Sequence, residues 1–430
     1  MYDVELRRRS PGWLVPLLLT GFPLWWALGL GELIFPIAGF AMAISLARTG
    51  PVLVPRQFGL YALFVVAVAA SGLMLDRPSA ALGWLTRLGQ YAGVGMILPY
   101  VLTNRAYITP ERLLRALTWL WIASVTGGVV ALIVGPLSFP TPLSFILPSG
   151  IAENPFVREQ VHPSFADVDG FLGFTSIRPK APFTYTNGWG AALGLLFPVA
   201  VYASVRNIGV PRPLVAASLF LGAAPIVMSL NRGLWLSIIA GIAYGSLLVA
   251  RRYGSRHIAV MLIAATVAAA IISVSPLGSL VTQRIDTGHS DEDRAELYVE
   301  VIDELKNSPF LGFGGPRQSE HGPPLGTHGQ LWIVLFSNGL IGAALYFGFM
   351  GSVLIETAGG RTEAELVAHT VLTVGAIQVF FYGHVPQQLA ILFCAMSVAF
   401  LARIRERGLI TATSAQQPSP LKPQPIGTTL

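Results

Sequence analysis

The sequence predicts an all-α integral membrane protein, on three observations. Hydrophobic residues make up 53% of the 430 positions and charged residues 12%, where soluble domains carry about 25% charge, and the mean hydropathy is +0.62. Apolar runs of roughly 20 residues, the helix length that crosses a bilayer's hydrocarbon, recur along the chain. The polar residues that could do chemistry gather in two long stretches between these runs, 137–186 and 276–329.

In order, the expected spans are 12–31, 32–47, 57–75, 84–103, 113–136, 187–205, 213–231, 233–250, 257–275, 330–356, 362–381 and 385–403, about 12 transmembrane helices in all. With the N-terminus in the cytoplasm, eighteen of the 28 Lys and Arg residues fall on the cytoplasmic side, as short cytoplasmic loops require. The ten left outside are Arg77, Arg87, Arg158, Arg178, Lys180, Arg232, Arg284, Arg294, Lys306 and Arg317. Depletion is the rule there, so these residues need a reason. The net charge of +6 thus reads as topology, and no basic strip with interleaved aromatics points to nucleic acid.

Arg7, Arg8 and Arg9 ahead of an apolar run imitate a secretory signal, but no small-residue cleavage site follows, and the run reads as a retained first helix. Cys394 is the single cysteine, which excludes an internal disulfide and a cysteine-based metal site. Residues 1–407 read as one polytopic membrane domain with two extracytoplasmic loop insertions, 137–186 and 276–329. Residues 408–430, rich in proline and polar groups, read as a disordered cytoplasmic tail.

The first insertion is proline-rich and is expected to hold little regular structure. In the second, Ser290 can cap a helix, and Asp291, Glu292 and Asp293 suit its positive end. Leu297, Tyr298, Val301, Ile302 and Leu305 give that helix an apolar stripe, and Pro309 stops it. Gly312, Gly314 and Gly315 read as a flexible lead toward His328. Carboxylates in a helix's first turn are expected for dipole reasons, so the cluster with Asp286 does not argue for a metal.

Among the outer basic residues, Arg232 stands in Ser229-Leu230-Asn231-Arg232-Gly233 between two apolar spans. An outer arginine can simply snorkel, yet a charge near the membrane boundary costs a few kcal/mol without a partner. Arg178, Lys180 and Arg294 can converge on the same region, and several guanidinium forks around one cavity suit a phosphate or pyrophosphate. The anion most readily found at that depth is the phosphate of a lipid carrier. His328 precedes an apolar span, where an imidazole can anchor a helix end or accept a proton from a hydroxyl at neutral pH. His289 and His321 read as solvated loop residues, and His369 as a hydrogen-bonded core histidine.

Four stretches in order carry a resemblance: Arg178 to Asn187 entering a span, Asn231-Arg232-Gly233-Leu234-Trp235, Arg294 with Tyr298 followed by Pro309, Gly312 and Gly314, and His328 followed by Gly339 and Gly342. Together they resemble the bacterial O-antigen ligase and O-antigen polymerase membrane family. The chain departs from that family's pattern at Ala181, Thr186 and Gly329. The resemblance implies a GT-C-like glycosyltransferase architecture and an inverting, metal-independent, cofactor-free transfer. A glycan would move from undecaprenyl pyrophosphate to the hydroxyl of a glycan or lipid-anchored acceptor, at the outer face of the bacterial inner membrane. It implies Arg178, Arg232 and Arg294 as pyrophosphate ligands and His328 as the catalytic group; Lys180, Asn187, Arg317 and His321 are further candidates for accessory roles. The rival expectation is a lipid-linked sugar transporter or flippase, but the acidic residues fall at span ends, in loops or in the termini, where an ion-coupled carrier needs one at mid-span.

Overall fold

The computed structural model describes residues 12–170, 175–254, 289–319, 324–384 and 386–416, with positions 256, 278, 282 and 284. Of 155, 289–295 and 407–416 only the helical backbone is described.

The described residues form sixteen α-helices. They are α1 (Leu14–Thr20), α2 (Phe22–Ala27), α3 (Ile34–Ala47), α4 (Phe58–Ser71), α5 (Ala81–Gly95), α6 (Ile97–Thr103), α7 (Pro110–Val134), α8 (Ser149–Ala152), α9 (Pro155–Val161), α10 (Thr186–Val205), α11 (Arg212–Met228), α12 (Arg232–Tyr253), α13 (His289–Leu305), α14 (Gln330–Thr357), α15 (Glu363–Gln378) and α16 (Gln387–Gln416). Among the described residues, five stretches are long and apolar enough to cross a membrane: α7, α10, α12, α14 and the part of α16 up to Glu406. Three shorter apolar stretches, Ile34–Ala47, Phe58–Met74 and Arg212–Met228, accompany them. The expected span 257–275 lies outside the described residues.

Two expected spans each divide into two α-helices, and proline is the reason in both. Pro23 has no N–H to offer the carbonyl of Leu19, so the run 12–31 divides into α1 and α2 at Gly21. Pro99 likewise cannot bond Gly95, and the run 84–103 divides into α5 and α6 at Met96. Elsewhere small residues let backbones close up, as expected where lipid gives no hydrophobic drive between helices. Gly39 of α3 crosses Gly93 of α5 so closely that a Cβ on Gly39 would stand 2.2 Å from the Gly93 Cα.

The last span, in α16, is the most enclosed of the five. It holds Cys394, fully buried, beside Phe393 and Met396. The tail expected as disordered from 408 is helical as far as Gln416. At the end of the bundle where α10 finishes, cations meet carboxylates: Arg206 with Glu363, Arg403 with Glu365 and Glu356, and Arg405 with Glu111. His369 lies inside the bundle, bonded to Tyr244 Oη at 2.9 Å and Thr357 Oγ1 at 2.8 Å, as a core histidine.

The opposite end carries both long insertions, and each is more ordered than its composition suggests. The first contains an antiparallel hairpin, β1 (Ala166–Asp169) with β2 (Ser176–Pro179), in register Asp167 opposite Arg178. In the second, α13 buries Leu297 and Val301 against Phe313, Leu325 and Phe336. Ile302, expected on that stripe, is 51% exposed. Ser290 falls within α13, not ahead of it.

The glycine-rich lead toward His328 is a clamp. Helix α14 leaves helical geometry at Gly339, φ +64°, and the segment 309–314 bonds across the break. Phe313 N–H meets Phe336 O at 2.9 Å, Gly314 N–H meets Ser337 O at 2.8 Å, and Leu340 N–H meets Pro309 O at 2.8 Å. Gly312 and Gly339 face each other there: a Cβ on Gly339 would fall 2.3 Å from the Phe310 carbonyl oxygen. Composition could not show this, because the same glycines serve a mobile loop or a close backbone crossing equally well.

Candidate functional site

The turn between α11 and α12 organises the site. Leu230 has φ +52° and is the one non-glycine residue with a left-handed backbone among the described residues. That conformation costs a leucine about 1–2 kcal/mol, and here the side chain is only 2% exposed, so burial holds it. The reversal presents two successive carbonyls to different parts of the chain. Ser229 O accepts from Arg178 Nε at 2.9 Å, and Leu230 O accepts from Arg284 Nε at 3.2 Å.

Asn231 follows and ties three more segments. Its Oδ1 caps α12 at Leu234 N–H, 3.4 Å, and accepts the hydroxyl of Tyr382. Its Nδ2 donates to Thr186 O at 3.4 Å and reaches Asn187 Oδ1 at 3.5 Å. Room for this junction comes from Gly190 and Gly233. A Cβ on the first would stand 2.4 Å from Asn231 Nδ2, and on the second 2.8 Å from Tyr382 Oη.

Around this turn lies a cavity of about 200 Å³, lined by Arg178, Asn187, Leu230, Asn231, Arg232, Gly233, Leu236, Arg284, Phe381 and Tyr382. Three guanidinium groups from distant segments thus share one small space. Arg232 is the first residue of α12, so its charge sits at the positive end of that helix's dipole, where an anion is favoured and a cation is not. Arg178 Nη1 pairs with Asp169 Oδ2 at 2.7 Å, which offsets part of the positive charge and fixes the fork. Arg284 is 9% exposed. Three guanidinium groups gathered this way offer planar donor forks of the kind that suit an anion.

Arg178, Arg232 and Asn187 therefore come together. Arg284 was visible only as one of the ten unexplained outer cations; nothing in its sequence neighbourhood marked it, because its place depends on a bond to the backbone of the 229–231 turn. Arg294 lies in α13, and its side chain is outside the description. Its helix is docked beside His328, since Tyr298, one turn on, stacks on Trp332 with ring centroids 4.2 Å apart and planes 11° apart.

Two accessory positions lie elsewhere. Lys180 is buried, with Nζ 2.7 Å from Asp167 Oδ1 and 3.5 Å from Glu159 Oε2, and it locks the hairpin to α9. Arg317 lies over the ring of Phe313 at 3.9 Å, with Nε 3.3 Å from Asp76 Oδ2, and ties the second insertion to the end of α4. Neither lines the arginine cavity. His321 is outside the described residues. Tyr185, at the entry to α10, has its phenol pushed up by burial and by Glu32, Glu159 and Asp167, so it remains a proton donor.

His328 is half-buried in the turn before α14. Its Nδ1 is 2.9 Å from Thr327 Oγ1. Beyond it, Gln330 latches the turn to the segment that supplies Phe381 and Tyr382 to the cavity. Gln330 N–H donates to Tyr382 O at 2.7 Å, Gln330 Oε1 accepts from His384 N–H at 2.8 Å, and Gln330 Nε2 donates to Tyr91 Oη at 3.0 Å. His328 does not line the arginine cavity; it stands beside the 379–382 segment that forms one wall of it.

Fold and site together define a multi-pass helical membrane protein with a cavity lined by arginines at one end of its bundle. Residues 217–355 match the family model described as O-antigen ligase, a stretch that contains Arg232, Arg284, Arg294, His328 and the Gly339 break. The match supports an O-antigen ligase and polymerase family, whose motifs the sequence resembles. No curated protein matches the chain.

Proposed function

We propose that the protein is a glycosyltransferase that moves a glycan from a polyprenyl pyrophosphate, of the undecaprenyl type, to an acceptor hydroxyl. It works at the extracytoplasmic face of the bacterial inner membrane, with both termini cytoplasmic, about twelve spans and a GT-C-like architecture. One observation carries the reading: Arg178, Arg232 and Arg284, from three distant segments, line one cavity at the start of α12. A lipid pyrophosphate is an anion delivered at that depth, and guanidinium forks match its oxygens bidentately.

In the reaction, the acceptor oxygen attacks the anomeric carbon of the donor sugar and its proton passes to His328. The bond from that carbon to the pyrophosphate oxygen breaks with inversion, and the electron pair leaves on the lipid pyrophosphate. The arginines, with Arg294 joining from α13, neutralise charge as it develops on the leaving group, which is commonly the largest single contribution. No metal is needed for this role, because fixed cations already supply the charge. Membrane tethering of the donor supplies proximity.

The test is transfer in vesicles that hold the purified protein, a polyprenyl pyrophosphate glycan and a lipid-anchored sugar acceptor. Glycan appearing on the acceptor, lost in His328→Ala and Arg232→Ala, supports the reading. Neither transfer nor donor binding by the wild-type protein overturns it. Product length then separates a single-step ligase from a chain-extending polymerase.

A further inference from the structure

The hydrogen bonds of Thr327 decide which nitrogen of His328 is basic. A threonine hydroxyl has one proton to give. Thr327 Oγ1 lies 2.6 Å from the carbonyl oxygen of Pro324 and 2.9 Å from His328 Nδ1. A carbonyl oxygen can only accept. If the proton pointed at Nδ1 instead, two oxygens would face each other at 2.6 Å with nothing between them, a repulsive contact. The proton therefore lies toward Pro324, Oγ1 can only accept from the ring, and Nδ1 must carry hydrogen. In the neutral ring that leaves the lone pair on Nε2.

We propose that Thr327 is a positioning residue that holds His328 in the Nδ1–H tautomer and so makes Nε2 the atom that takes the acceptor's proton; this rests on the role for His328 proposed above. The Nδ1–H to Oγ1 bond is needed by both charge states of the ring. When Nε2 gains a proton the bond stays in place, so the ring need not reorient during transfer. The backbone around the pair is fixed on both sides. Gly326 and Gly329 have φ of +72° and +84°, Leu325 N–H bonds Arg317 O at 2.8 Å, and Gln330 N–H bonds Tyr382 O at 2.7 Å. The Thr327 carbonyl acceptor, Pro324, lies inside the same anchored turn.

The proposal separates from the function by its readout. In the full-length protein labelled with ¹⁵N-histidine, with His328 assigned by difference from His328→Gln, Nδ1 should resonate as a protonated nitrogen and Nε2 as an unprotonated one above the imidazole's titration. Thr327→Ser should keep that pattern, and Thr327→Val should move it toward Nε2–H. In transfer assays Thr327→Val should lower kcat by about tenfold or more with KM little changed, short of the loss on removing a general base outright, and Thr327→Ser should restore it. Protonated Nε2 in the wild-type protein, or an unchanged pattern in folded Thr327→Val, overturns the proposal even if transfer proceeds. Full transfer by His328→Ala would instead remove the proposed base while leaving the tautomer assignment standing on its spectrum.

Discussion

The Nε–H of Arg284 meets the carbonyl of Leu230 at 3.2 Å, so a buried guanidinium is held by the one non-glycine residue with a left-handed backbone among the described residues. The neighbouring carbonyl, Ser229 O, holds Arg178 in the same way. Backbone strain at one position thus sets the direction of two cationic side chains, which is a common reason for strain to persist at a functional site.

Arg284→Ala should cut donor binding by roughly tenfold to a hundredfold, the range for losing a charge-assisted hydrogen bond of about 1.5–3 kcal/mol. Arg284→Lys should recover only part, because a point charge lacks the planar fork and the Nε–H that reaches Leu230. Binding of a fluorescent polyprenyl pyrophosphate to each purified variant, normalised to folded protein, measures this. Equal affinity across the three proteins would exclude Arg284 from the donor site.

Leu230→Ile keeps the side-chain volume but puts a β-branch at positive φ. A volume-conserving swap in an ordinary core usually costs less than about 1.5 kcal/mol, and the left-handed backbone should add to that cost. The expected result is a lower thermal midpoint in detergent than the same swap gives at Leu193, which is fully buried within α10. Donor binding should fall in parallel, because both arginine anchors are carbonyls of this turn.

Gly339→Ala should destabilise the protein by about 1–3 kcal/mol from backbone strain alone, and more from the clash with Phe310 O. Melting curves of the purified variant check this. Because the 309–314 clamp connects α13 to α14, transfer should be lost before the rest of the bundle melts. Wild-type stability and activity in this variant would mean that α14 does not need the break.

Chelation should leave transfer unchanged, since arginines supply the cationic charge at the leaving group. A rate followed before and after dialysis against EDTA gives the answer. Activity lost on chelation and restored by a divalent ion would require a metal in the reaction.

Membrane character, the two polar insertions, and Arg178, Arg232 and His328 as candidates were legible in the sequence, because apolar run length and charge placement are local properties that a bilayer imposes one residue at a time. The Gly312 and Gly339 motif positions were legible too, though not their use. Mobile leads and tight crossings ask for the same residue, and only the facing backbone at Phe310 distinguishes them.

The sequence by itself determined that the chain is a helical membrane protein with cations gathered between its apolar runs, and that residues around 178, 232, 294 and 328 resemble one family's motifs. Tertiary structure decided which cations share a cavity. Lys180 is drawn into the hairpin by Asp167 and Glu159, Arg317 is drawn to Asp76 and Phe313, and Arg284 is brought in by the carbonyl of Leu230. The physical reason is that a guanidinium or ammonium group goes to whichever acceptor the fold presents to it. Acceptors distant in sequence, a backbone carbonyl above all, leave no trace in residue type.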